Sequence, residues 1–189
     1  MNKKLPKHLG MTYREFKVGT IKKTIYMITL ILLSGCAHLG DWKVNGIPLS
    51  RFKDAGPKEY SQLAGGVGLS FLAHWAGHVV CLESQGAEWH QDGLSEVYTA
   101  KDLTESENRW VGRSGFVAKL LVGTGLKHTK WADSWWVTGY QIGTVAEITT
   151  YPVLFNGDGD LYTIRNHGGN ADLEYLFYSG WALWNLGPY

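Results

Sequence analysis

The feature that most limits how this chain can fold is the run SQLAGGVGLSFLAHWAGHVVCL, Ser61 to Leu82, which contains no Lys, Arg, Asp or Glu. A stretch this long without a charge must be covered, since about 20 apolar residues are enough to cross a bilayer. Its apolar residues do not alternate with polar ones as a half-buried strand requires, so a helix is expected. Residues four apart lie on one helix face. Ser70, His74 and His78 then form a single polar line, flanked by Leu72, Trp75, Val79 and Leu82. Gly65, Gly66, Gly68 and Gly77 each weaken a helix by about 1 kcal/mol relative to alanine. Four of them together imply that another element comes close to this backbone.

Three more apolar segments follow, near 110–128, 134–155 and 172–187. Each is of helix length. The segment WWVTGYQIGTVAEITTYPVLF is rich in Val, Ile and Thr, which favour strands. Even so, Trp135, Gly139, Ile142, Val145, Ala146 and Thr149 recur at helical spacing, and Pro152 offers a stop. The expected fold is mainly α, a compact bundle of four or five helices over residues 60–189. The connection from Ser84 to Trp110 holds acids and turn residues and is expected at the surface, with Thr104 or Asp102 as a helix cap. Asn170 is expected to cap the last helix, with Asp172 and Glu174 favouring its dipole.

The beginning of the chain has a different character. Residues 1–24 carry seven Lys and Arg against one acid, followed by the short apolar run IYMITLILL and then SGCAHLG. That is the order of a secretory signal. LSGC, Leu33 to Cys36, resembles the bacterial lipobox, in which the cysteine is acylated and becomes the first mature residue. The resemblance implies a signal peptide over 1–35, palmitate-type lipidation of Cys36, a tether over 36–59 and a cell-envelope location. Ala37 after the cysteine resembles the outer-membrane sorting pattern. An uncleaved anchor helix is the alternative. Residues 36–189 hold eleven basic and sixteen acidic residues, a net of −5, which argues against nucleic-acid binding. With Cys36 lipidated only Cys81 remains, so no disulfide can form within the chain. The later segments contain Arg113, Lys119 and Glu147, so the expectation is a lipid-anchored domain at the membrane surface rather than a set of spans.

Two imidazoles at i and i+4 can hold one zinc ion, which is the mechanical basis of the H-E-x-x-H motif. HWAGHVV, His74 to Val80, resembles the active-site helix of membrane-associated zinc metallopeptidases through His74, Gly77 and His78. The resemblance implies zinc as cofactor on His74 and His78. The motif glutamate, which would polarise the metal-bound water, is replaced here by Trp75. General-base assistance is worth about 10²- to 10⁴-fold, so ordinary peptidase turnover is not expected. Without a metal the two histidines are packing residues hydrogen-bonded to neighbouring helices.

A zinc site needs at least three protein ligands. Glu147 is the only ionisable residue between Asp133 and Asp158. It falls on one helical line with Gly139 and Gly143, whose lack of side chains lets the histidine helix approach. Glu147 is therefore the expected third ligand, in a pattern resembling that of gluzincins. An ion pair with Arg113, Lys119 or Arg165 is the alternative.

The loop NGDGDLYTIRNHGGNAD, Asn156 to Asp172, places Asn156, Asp158 and Asp160 at positions one, three and five of a calcium loop. Leu161 and His167 then occupy positions where glycine and glutamate are required, so a turn is the simpler reading. His167 is a further candidate ligand or base, and His90 reads as surface polar chemistry. GGVGLS lacks a P-loop lysine, and no G-x-S-x-G elbow is present. The functional expectation is a lipid-anchored envelope protein with a degenerate metallopeptidase-like site on His74, His78 and Glu147, meeting the membrane through Cys36. Two alternatives stand beside it: a metal-free structural or partner-binding lipoprotein, and a zinc hydrolase whose base, such as His167 or Glu83, lies outside the motif.

Overall fold

Six helices and two small hairpins make up the described part of the chain. The structure is a computed structural model that describes residues 43–92, 96–154 and 159–187. The signal segment, the lipobox with Cys36, and Asn156 and Asp158 of the calcium-loop reading lie outside the described residues. In chain order the elements are β1 (Lys43–Val44), β2 (Ile47–Pro48), α1 (Leu49–Lys53), α2 (Pro57–Ser84), β3 (His90–Asp92), β4 (Glu96–Tyr98), α3 (Glu105–Lys127), α4 (Trp135–Leu154), α5 (Gly159–Asn166) and α6 (Ala171–Leu186). The mainly helical bundle is thus the fold observed.

The long helices start where local chemistry permits. Pro57 opens α2, and the Glu59 carboxylate accepts the Gly56 N–H at 3.1 Å. Thr104 caps α3 reciprocally with Glu107, each side chain accepting the other's backbone N–H. Asn170 caps α6 by accepting the Leu173 N–H at 3.1 Å. The Val- and Thr-rich segment is helical, as its spacing predicts. Thr144, Thr149 and Thr150 return their hydroxyls to carbonyls one turn back, which keeps these groups satisfied inside a packed helix. Pro152 does not stop α4, which continues to Leu154. A proline in the final turn breaks few of the bonds a mid-helix proline would.

Helix α2 packs against α3 on one side and α4 on the other, and α6 packs on both α3 and α4. Glycines set the close contacts. A Cβ on Gly66 would lie 2.0 Å from the Trp136 carbonyl, one on Gly139 2.1 Å from the Leu63 carbonyl, and one on Gly143 2.6 Å from Ser70 Oγ. These contacts rise together along both chains, so α4 runs parallel to α2. The expected approach of Gly139 and Gly143 to the histidine helix is therefore present. A core of Phe116, Leu120, Ile148, Tyr151, Tyr178 and Ala182 ties α3, α4 and α6 together.

The expected tether over 36–59 is structured from Lys43 onward. Asn45 and Gly46, with φ of 48° and 82°, form the two-residue turn between β1 and β2. Asn45 is fully buried, donates to Ala132 O and Thr138 Oγ1, and takes the Leu186 carbonyl on its backbone N–H. A buried residue with three long-range partners, two on its side chain and one on its backbone N–H, makes this hairpin part of the domain.

Candidate metal centre

His74 and His78 lie on the inner face of α2, one turn apart, with their rings 4.8 Å between centroids. Opposite them α3 presents Gly115, where any side chain would collide with both rings. A Cβ there would sit 2.4 Å from His74 Nε2 and 2.6 Å from His78 Nε2. Phe116, the next residue, meets the His74 ring edge-on at 5.2 Å. Gly77 brings the two helices this close, its missing Cβ lying 2.4 Å from the Ser114 carbonyl.

The protonation of each ring follows from its partners. His78 Nδ1 stands 2.9 Å from the Val111 carbonyl, which can only accept, so the N–H belongs on Nδ1. Ser114 Oγ donates to that same carbonyl and lies 3.3 Å from His78 Nδ1. His74 Nδ1 stands 2.8 Å from Glu147 Oε1, again an acceptor-only partner. This is a close approach rather than an aligned hydrogen bond, since Nδ1 has no partner in hydrogen-bonding geometry. In the neutral state both rings therefore turn an Nε2 lone pair inward.

Those two nitrogens face one another 2.9 Å apart, a distance at which a proton on either one makes a hydrogen bond. Asp160, in the first turn of α5, completes the cluster. Its Oδ2 lies 2.9 Å from His74 Nε2 and its Oδ1 3.4 Å from His78 Nε2. Oδ2 is buried with no hydrogen-bond donor in alignment. The Asp160 N–H donates to the Tyr151 hydroxyl at 2.8 Å, which fixes the start of α5 above the histidines.

His74, His78 and Asp160 form a group that could hold a metal ion. Zinc bonds of about 2.0–2.1 Å at the tetrahedral angle place ligand atoms about 3.3 Å apart. The contacts here are 2.9, 2.9 and 3.4 Å, so an ion fits after an opening of a few tenths of an ångström. Side-chain exposures of 13 %, 10 % and 12 % leave the group shielded yet reachable.

Glu147 comes to the histidine pair as the sequence suggests, but from behind. It meets His74 Nδ1, while the inward-facing ligand position is taken by Asp160. The reason lies in its second oxygen, which accepts from the fully buried Lys119 ammonium. Lys119 is the ion-pair alternative realised; Arg113 instead makes a two-pronged bond to Glu174, and Arg165 pairs with Asp172. An outer carboxylate on the rear nitrogen of a metal-binding imidazole is the common second layer of such sites.

Among the described residues neither His167 nor His90 belongs to the cluster. The His167 carbonyl receives Arg109, and His90 lies beside Tyr98 in the β3–β4 hairpin. Glu83 is exposed and accepts from Trp89. Trp75 turns away from the histidines and packs edge-on to Trp89 at 5.4 Å. Asp160 was visible in the sequence only as part of a calcium-like loop; its real signal was an acid opening a short helix beside a chain with two inward histidines. No family model, no curated protein and no solved structure matches the chain.

Proposed function

We propose that this protein is a lipid-anchored cell-envelope protein holding a zinc-type divalent ion on His74, His78 and Asp160, without peptidase turnover. The observation that carries the reading is the meeting of two imidazole lone pairs and a carboxylate at 2.9 Å. Three acceptors at that distance repel unless a metal ion or a proton sits among them. Two imidazoles and a carboxylate are the donor set that zinc accepts in sites with an open fourth position. Lys119 neutralises Glu147, which leaves the charge of Asp160 for the ion.

The absence of turnover follows from Trp75. No carboxylate stands at the motif position, and Glu147, bound between His74 and Lys119, is committed behind the ring. The site is suited to holding a metal for structure, storage or transfer.

A proton on one Nε2 is the other way to satisfy the 2.9 Å contact, and it corresponds to a metal-free structural protein. Elemental analysis separates the two. The purified wild-type chain should carry stoichiometric zinc, lost in His74→Ala and in Asp160→Asn. A wild-type protein that takes up no zinc on titration would decide for the proton. The lipid anchor is tested separately, by fatty-acid labelling of wild type against Cys36→Ala.

A further inference from the structure

The bundle buries many polar side chains beside its apolar core and leaves large apolar ones exposed. Ser70, Lys119, Thr138, Gln141, Thr144 and Asn185 are completely buried, whereas Leu72, Val80, Leu121, Leu173 and Phe177 are more than half exposed. Water-soluble domains place polar residues outside and large apolar ones inside. Here buried hydrogen bonds and close glycine contacts hold the helices together alongside that core. Gln141 donates to the Gly123 carbonyl, Asn185 to the Leu120 carbonyl, and Tyr140 to the Lys119 carbonyl. Small residues at helix contacts and buried polar groups between helices are how bundles cohere where no water drives them together.

The outward faces carry no charge over their middle. On α2, Ala64, Gly68, Leu69, Leu72, Ala76 and Val80 form one exposed line. On α3, Leu121, Val122 and Gly125 are exposed, while Lys119, the only charge between Ser114 and Leu126, is turned inward. Beyond Glu174, α6 has no charge, and Leu176, Phe177, Gly180 and Trp184 face out. On α4 only Ala146 and Thr150 are exposed among residues 137–150, and Glu147 is buried. Exposed charges lie at the two ends of the bundle: Lys58, Lys130 and Asp133 at one, Glu83, Glu105 and Asp172 at the other.

The dimensions agree. At 1.5 Å per residue, α2 spans about 42 Å, α3 about 34 Å and α4 about 30 Å, against a hydrocarbon core of about 30 Å. Helix α2 is long and apolar enough to cross by itself. Half-exposed tryptophans stand at both ends, Trp131 and Trp184 at one and Trp110 at the other, as at the two interfaces of a membrane. Ionisable groups inside such bundles face the interior and pair with one another, as Lys119, Glu147, His74 and Asp160 do.

The geometry points to a bundle embedded in a lipid bilayer, its uncharged belt against acyl chains and its histidine–aspartate group enclosed within. This replaces the expectation of a domain resting on the membrane surface. The short α6, about 24 Å long, is met by local thinning of the bilayer. The inference does not depend on the metal.

The test places a fluorophore on single cysteines in the full chain, reconstituted into phosphatidylcholine vesicles. The variants are Leu72→Cys, Leu121→Cys and Phe177→Cys, with Lys58→Cys as the end-of-helix control, each carrying Cys36→Ser and Cys81→Ser so that the introduced thiol is the only one. The three belt positions should lose fluorescence to brominated acyl chains and be untouched by aqueous iodide, with the opposite result at Lys58. Iodide quenching at the belt positions would overturn the inference. So would protection from both quenchers, which would assign the face to a second copy of the chain. Zinc is not read in this experiment, so its outcome and that of the metal titration are independent.

Discussion

Replacing Gly115 by alanine tests the centre at its most confined point. The added Cβ would stand 2.4 Å from His74 Nε2 and 2.6 Å from His78 Nε2, about 1 Å inside the ~3.5 Å of carbon van der Waals contact. Both rings must move, and they must move away from the space an ion would occupy. Overpacking of this kind costs about 1–3 kcal/mol, of which alanine's helix preference over glycine offsets about 1. The net expectation is a loss of up to about 2 kcal/mol of stability. Zinc affinity should fall by more than the 10- to 100-fold typical of disturbed outer partners. Gly125, on the same helix, provides the control, since nothing lies within 4 Å of a Cβ placed there. Gly125→Ala should melt at or above wild type and titrate zinc as wild type does. Thermal unfolding and competition with a chromogenic chelator read the two quantities. The reasoning is refuted if Gly115→Ala binds zinc like wild type and melts no lower than Gly125→Ala.

Three further outcomes are expected. Lys119→Met should lower stability by about 3–5 kcal/mol, because it leaves the Glu147 carboxylate buried without its counter-charge; adding Glu147→Gln should restore a large part, and an additive double mutant would deny the coupling. Glu147→Gln alone should weaken zinc by about 10- to 100-fold while leaving the ligand count unchanged in the metal's absorption spectrum with cobalt as substitute. Metal competes with protons for the imidazole nitrogens, so zinc affinity should fall steadily as the pH is lowered.

Much of the helical architecture was legible because its causes are local. Twenty-two uncharged residues from Ser61 to Leu82 leave few alternatives to a covered helix. The caps at Thr104 and Asn170 are readable because their partners lie three residues away. The Asn45–Gly46 turn carried the same kind of signal, and with it the end of the tether. The i, i+4 histidines and the glycine line through Gly139 and Gly143 likewise announced which helix faces differ from the rest.

What sequence alone determined, then, is a set of helices with marked faces: two histidines one turn apart, a lone acid among glycines, and no base at the motif position. Only tertiary structure decided which faces meet. It put Asp160, rather than Glu147, against the inward nitrogens, and it spent Glu147 on Lys119 from another helix. It also turned Leu72, Leu121 and Leu173 outward and the amides of Gln141 and Asn185 inward. The physical reason is that a helix's own residues set its stripe, whereas the partner of a buried charge is chosen by the whole bundle, through the pairing that leaves the least charge uncompensated.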